Sequence, residues 1–111
     1  MAINTQVSTS DWLEFFVSFS NGNQGRLLSL EEFDTESGST GQVVQGKLMA
    51  VDYDPVGKGN DLVVTTGDGE IDNSHIVKAP VEVWKAQADD GEIVSLEIID
   101  QNGAKTILKL S

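Results

Sequence analysis

The chain carries one histidine, His75, and it closes the stretch GDGEIDNSH, residues 67–75, in which Asp68, Glu70 and Asp72 alternate with other residues. Two chemistries use residues of these types. An imidazole oriented by a carboxylate is a general base near neutral pH, and Asp72 or Glu70 could serve His75 in that way. Carboxylates at every second position also resemble the first half of a calcium loop, with Asp68, Glu70 and Asp72 as its ligands. Both ideas meet geometric objections. Counting Asp68 as the first calcium position puts Asn73 where the loop needs glycine and Ala79 where it needs a bidentate glutamate. On a strand, adjacent side chains leave on opposite faces, so Ser74 is not a nucleophile for His75, and Asp72 lies an odd number of residues away. The stretch is therefore expected to be a turn between strands, with His75 at the head of the second.

Other site chemistries are excluded by composition. The chain has no cysteine, which removes disulfides, thiolate zinc sites and cysteine nucleophiles, and one histidine cannot complete a zinc ligand set by itself. There is no nucleophile elbow or phosphate loop, since Gly67 and Gly69 lack a following helix. No cofactor is expected. A net charge of −11 with seven basic residues scattered singly argues against nucleic acid and against anionic membrane surfaces as partners. No apolar run is long enough to span a bilayer, and MAINTQVSTSDW has neither a basic n-region nor an apolar h-region. A cytoplasmic protein is the expectation. Most acids fall in or beside turn sequences, where carboxylates bond nearby amides and aid solubility.

The elements that must position these residues follow from the apolar pattern. Residues 1–111 make one domain by length. Residues 1–7 read as a loose arm, and 8–21 as a helix with Ser8 and Ser10 as candidate N-caps and Asn21-Gly22 as its stop. Trp12, Phe16 and Phe19 recur at helical spacing, flanked by Leu13, Phe15 and Val17, and form a face for docking on a sheet. A partner-binding helix is the alternative, and it requires that stripe to be exposed. Residues 25–111 read as antiparallel β. GRLLSLEEF is followed by the polar loop DTESGSTG, then QVVQGKLMAVDY with a bend at Gly46, the turn DPVGKGND, and LVVTT and SHIVK around the acidic loop. After Ala79-Pro80, VEVWKAQA, EIVSLEIID and KTILKL form a three-stranded meander whose last turn is Asn102-Gly103. The fold class is mainly β with one N-terminal α-helix. Its six or seven strands suit a small antiparallel barrel, SH3-like or Sm-like with the helix plugging one end, or a two-layer sandwich.

Several of these residues form a wider pattern. Trp12, Phe15, Phe16, Phe19 and Ser20 are followed by Gly25, Leu28, Leu30 and Glu31, then by Leu48 with Asp52. His75, Pro80 and Val83 come next, and Leu96, Glu97, Ile98, Gly103, Thr106 and Leu108 close the chain. Over residues 8–110 the chain resembles a family of short, acidic bacterial proteins classed as a domain of unknown function, the 5335 type. It departs from that pattern at Gly46, two positions ahead of Leu48, and in the spacing of HIVKAP. The resemblance implies a shared fold and no activity. The expected function is a non-catalytic binding or interaction module, with a homo-oligomer or another protein as partner. The alternative is an enzyme or small-ligand-binding protein using His75 with Asp72 or Glu70.

Overall fold

The amino-terminal arm is a strand. In the computed structural model, β1 (Ile3–Val7) pairs antiparallel with β6 (Pro80–Gln87), from Ile3↔Gln87 to Val7↔Val83. One apolar residue explains it: Val7 is buried in the core, and backbone pairing holds the polar residues before it. The structure describes residues 3–33, 40–54, 57, 59–68 and 70–110, without the side chains of 40–44, 71 and 72.

A single 3-10 turn (Thr9–Asp11) leads into α1 (Trp12–Asn23), so the helix begins later than its serines suggested, and Ser8 makes no side-chain cap bond. It runs through Asn21-Gly22 to Asn23, whose Nδ2 donates to the Phe19 carbonyl at 2.9 Å. Gly25, at φ 89°, then takes the left-handed conformation that turns the chain into the sheet. Trp12, Phe16 and Phe19 are buried as their spacing required. Trp12 Nε1 donates to the Val7 carbonyl at 3.0 Å, and its ring meets Tyr53 edge-on at 5.3 Å.

The remaining strands are β2 (Leu27–Phe33), β3 (Thr40–Asp54), β4 (Asp61–Gly67), β5 (Ile71–Lys78), β7 (Ile93–Asp100) and β8 (Lys105–Leu110). With β1 and β6 this makes eight strands among the described residues rather than six or seven, all antiparallel, in the order β1-β6-β7-β8-β2-β3-β4-β5. The expected meander is β6-β7-β8. The sheet is not closed, so β1 and β5 remain as its two ends. Of the polar loop expected at residues 34–41, only 40 and 41 are among the described residues, at the start of β3.

β3 bends the sheet. Its first half pairs with β2 and its second with β4, with a register shift between Leu48 and Ala50. The extra residue lets Leu48 and Val51 both face inward, at 1% and 2% exposure, which strict alternation forbids. The bulge is thus just past Gly46; a Cβ on Gly46 would lie 3.3 Å from Thr66 Cβ, so the glycine serves a close approach. Beyond the bend β3 has an edge without a strand among the described residues, and α1 covers it. Ser20 Oγ donates to the Val51 carbonyl at 3.0 Å and accepts from the Val51 amide at 2.8 Å. Gln24 and Gly25 donate to the carbonyls of Met49 and Leu48.

The two halves share one core: Leu28, Leu30, Leu96, Ile98 and Leu108 meet Leu62, Val64, Val77 and the aromatic face of α1. Ala79 joins them at φ 52°, its amide donating to Asn60 and its carbonyl accepting from Gln101. Pro80 follows as the first residue of β6, where no ladder donor is lost. Among the described residues, no helix is long and apolar enough to cross a membrane.

Candidate functional site

His75 stands in the middle of β5, opposite Val64 of β4, and not at the head of a strand. The strand starts earlier than expected because Thr66↔Asn73 is followed by Gly67↔Ile71, which makes Asp72 an extra residue in the ladder. The connection from Gly67 to Ile71 is correspondingly tight: a Cβ on Gly67 would collide with the Glu70 carbonyl oxygen and lie 2.9 Å from Met49 Sδ.

The pairing with buried Val64 puts His75 on the inner face near the open end of the sheet, with its side chain 14% exposed. Across the interior stands a second cross-strand row, Glu32↔Thr106↔Ile98. His75 Nε2 lies 3.9 Å from Glu32 Oε2, within ion-pair range and beyond hydrogen-bond reach. His75, Glu32 and Thr106 line a cavity of about 370 Å³ with Lys78, Ala79 and the β7–β8 turn. Among the described side chains the carboxylate facing the histidine is therefore Glu32, and not Glu70. Only the register of β2 on β8 brings Glu32 there, and no local sequence signal carries that.

This arrangement is short of a catalytic one. At 3.9 Å the carboxylate does not fix the ring through a hydrogen bond, and Ser74 is exposed, next to His75 on the strand. Asp100 Oδ1, at the cavity wall, accepts the amides of Asn102 at 2.8 Å and Ala104 at 3.0 Å, so it is engaged in holding the hairpin turn. The calcium candidates fare no better. Asp68 is solvent-exposed and 3.2 Å from Lys47 Nζ, Glu70 is exposed, and the side chain of Asp72 lies outside the described residues, as does Gly69. Among the described residues no group of three or more His, Cys, Asp or Glu is placed to hold a metal ion.

A second concave surface runs along α1. One cavity, of about 390 Å³, is lined by Thr5–Ser8 of the β1 end, Asp11, Glu14, Phe15, Ser18 and Lys85. The next, of about 320 Å³, shares Phe15 and Ser18 and continues past Phe19 and Asn23 to Glu92 and Ile93. Phe15 is the half-buried floor common to both. It stacks on Phe19 at 6.1 Å, and Lys85 Nζ stands 5.7 Å from its ring centroid. The Trp12–Phe16–Phe19 stripe is buried, as docking on a sheet requires and a partner-binding stripe would not be, while of its flanks Leu13 and Val17 are exposed and Phe15 lines both cavities. Arg26 fixes the far end, donating from Nη1 to Asn23 Oδ1 at 2.7 Å and the Ile93 carbonyl at 2.8 Å, with Nη2 3.2 Å from Glu92.

Among known proteins, the chain is 26% identical over 104 residues to an uncharacterized protein of Aquifex aeolicus (strain VF5), covering 94% of this chain and 88% of that one. No solved structure matches it significantly. A family model matches residues 3–111, and by that match the chain belongs to the family of unknown function DUF5335.

Proposed function

We propose that the protein is a small, non-catalytic binding module of the cytoplasm that engages another protein along the groove beside α1. One observation carries this reading: two adjoining cavities of about 390 and 320 Å³ share Phe15 and Ser18, so the concave surface follows the helix over most of its length. Its floor is aromatic and its rim polar, the anatomy of a recognition groove. The test compares the chain with its Phe15→Asp variant in affinity capture from the native cell. A partner retained by the wild type and lost by the variant is expected; equal capture removes the groove from the function. Purified protein is also expected to give no turnover across a broad panel of hydrolase substrates. Turnover abolished by His75→Ala overturns the non-catalytic reading.

The placement of His75 with Glu32 in the cavity at the open end favours a second reading, a site for a small polar ligand. It predicts a ligand-dependent thermal shift that His75→Ala and Glu32→Gln both abolish. If no compound in a metabolite panel shifts the wild type more than these variants, this reading is discarded.

A further inference from the structure

Among the described residues β1 pairs only with β6, so its other edge presents main-chain donors and acceptors with no strand beside them. Sheet ends that stay solitary carry devices against pairing: charges, prolines, bulges. β5, the opposite end, has Asp72 and Lys78 in its sequence and an irregular register at its start. β1 has none of these. Its sequence INTQV is uncharged and without proline, and its register on β6 is unbroken from Ile3 to Val7.

The groove beside α1 reaches this edge. Thr5, Gln6, Val7 and Ser8 are consecutive, and all four line it. Alternate side chains of a strand leave on opposite faces, so a cavity touching consecutive residues reaches the strand's margin, and Lys85 of β6, paired with Thr5, extends it over the adjoining sheet face. Asp11 and Glu14 stand at the same cavity, both exposed and neither with an ionic partner among the described residues; they outnumber its one cation, Lys85, which stands 5.7 Å from the Phe15 ring centroid. Ile3, 65% exposed on the strand itself, and Phe15 in the floor offer apolar contact.

Resting on the groove reading above, we propose that β1 accepts a ninth strand from a partner protein, an extended segment in which lysine or arginine alternates with apolar, β-branched residues. Main-chain bonds along β1 hold the segment, and its cations meet Asp11 and Glu14. A second copy of this chain is the obvious rival, because any edge can pair with itself. Charge decides between them. Each copy brings a net charge of −11 and its own Asp11 and Glu14 to the interface, whereas a cationic segment arrives with the opposite sign.

The test titrates the full, isotope-labelled chain with a peptide of about seven residues alternating valine or threonine with lysine, long enough to span an edge strand. Two control peptides carry glutamate for lysine, or N-methyl groups on alternate amides. The lysine peptide is expected to slow amide exchange at alternate residues of β1, those whose N–H points away from β6, and to perturb Phe15. Neither control binds. Asp11→Asn combined with Glu14→Gln weakens binding roughly two- to thirtyfold, the range of two exposed ion pairs, as does added salt. Equal binding of the lysine and glutamate peptides overturns the proposal, and so does binding without protection in β1. A concentration-dependent dimer in sedimentation whose β1 amides are protected assigns the edge to a second copy and equally overturns it. If the lysine peptide fails while capture still depends on Phe15, this inference falls and the groove reading stands.

Discussion

Whether α1 is locked to β3 or merely rests on it turns on Ser20. Its hydroxyl donates to the Val51 carbonyl at 3.0 Å and accepts from the Val51 amide at 2.8 Å, on the stretch of β3 that pairs with β4 on one side and, among the described residues, with no strand on the other. Ser20→Ala leaves both backbone groups without their partner. A net hydrogen bond contributes about 1 kcal/mol, so the pair is worth about 2 kcal/mol, and half-burial of Ser20 sets a lower bound of about 1 kcal/mol where water substitutes. Alanine is also a better helix former by up to about 0.5 kcal/mol, which hides part of the loss. Ser18→Ala, an exposed position of the same helix, measures that gain directly. Urea denaturation followed by Trp12 fluorescence in a Trp84→Phe background is the assay, because Trp12 is 2% exposed and packs on Tyr53, so its emission reports docking of the helix. The difference between the two variants is expected to be about 2 kcal/mol. With an unfolding entropy of about 2.1 cal/mol/K per residue, that corresponds to a melting temperature lower by about 9 °C for this chain length. A difference under about 0.5 kcal/mol would mean that apolar packing alone seats the helix, and the hydrogen-bonding account of the covered edge would be wrong.

Four further outcomes follow from the geometry. Gly67→Ala drives a Cβ into the Glu70 carbonyl and is expected to cost about 3 kcal/mol or more in denaturant unfolding, as a clash with backbone cannot be relieved by a rotamer change. Arg26→Ala removes the donor to Ile93 and Asn23 and is expected to cost about 2 kcal/mol; Arg26→Lys restores little, because one ammonium does not span the places the guanidinium reaches. Glu32→Gln is expected to change stability by less than about 0.5 kcal/mol at pH 7.5, since the carboxylate is 42% exposed and 3.9 Å from His75; a larger loss marks an interaction stronger than that distance allows. Millimolar calcium is expected to move neither tryptophan fluorescence nor melting temperature, because Asp68 faces Lys47 and Glu70 is exposed; a rise in melting temperature lost in Asp68→Asn reinstates the site.

What the sequence disclosed were the local signals. The β6-β7-β8 meander, the Trp12–Phe16–Phe19 stripe and the turn at Gly103, with φ 85°, each depend on residues a few positions apart. Non-local determinants were hidden. β1 looks like an arm because its pairing with β6 lies far along the chain and only Val7 enters the core. Alternation put Leu48 and Val51 on opposite faces of β3, and the bulge between Leu48 and Ala50 brings both inward. The His75 partner was sought among neighbouring acids, but a strand offers its face to residues of other strands, and here that residue is Glu32. Helix ends were shifted for a similar reason. Ser20 and Gln24 bond to β3, and those tertiary contacts carry α1 past Asn21-Gly22.

The two ends of the open sheet then weigh differently as evidence about function. At the β5 end the interior must give way to water, and the inner-face rows finish in side chains that tolerate both: His75 beyond Val64, and Glu32 and Thr106 beyond Ile98. That placement has a sufficient architectural cause, because a row that ended in leucine would expose apolar area at the mouth. A charged β5 likewise has a cause in discouraging further pairing. No such cause accounts for β1. An uncharged, straight edge beside a groove with two acids is a liability for aggregation if nothing uses it, and one lysine or proline in INTQV would remove that liability without touching the core contact of Val7. The histidine that looks most like chemistry in the sequence is thus explained by the fold, and the strand that looks least like anything is the feature the fold leaves to be explained by a partner.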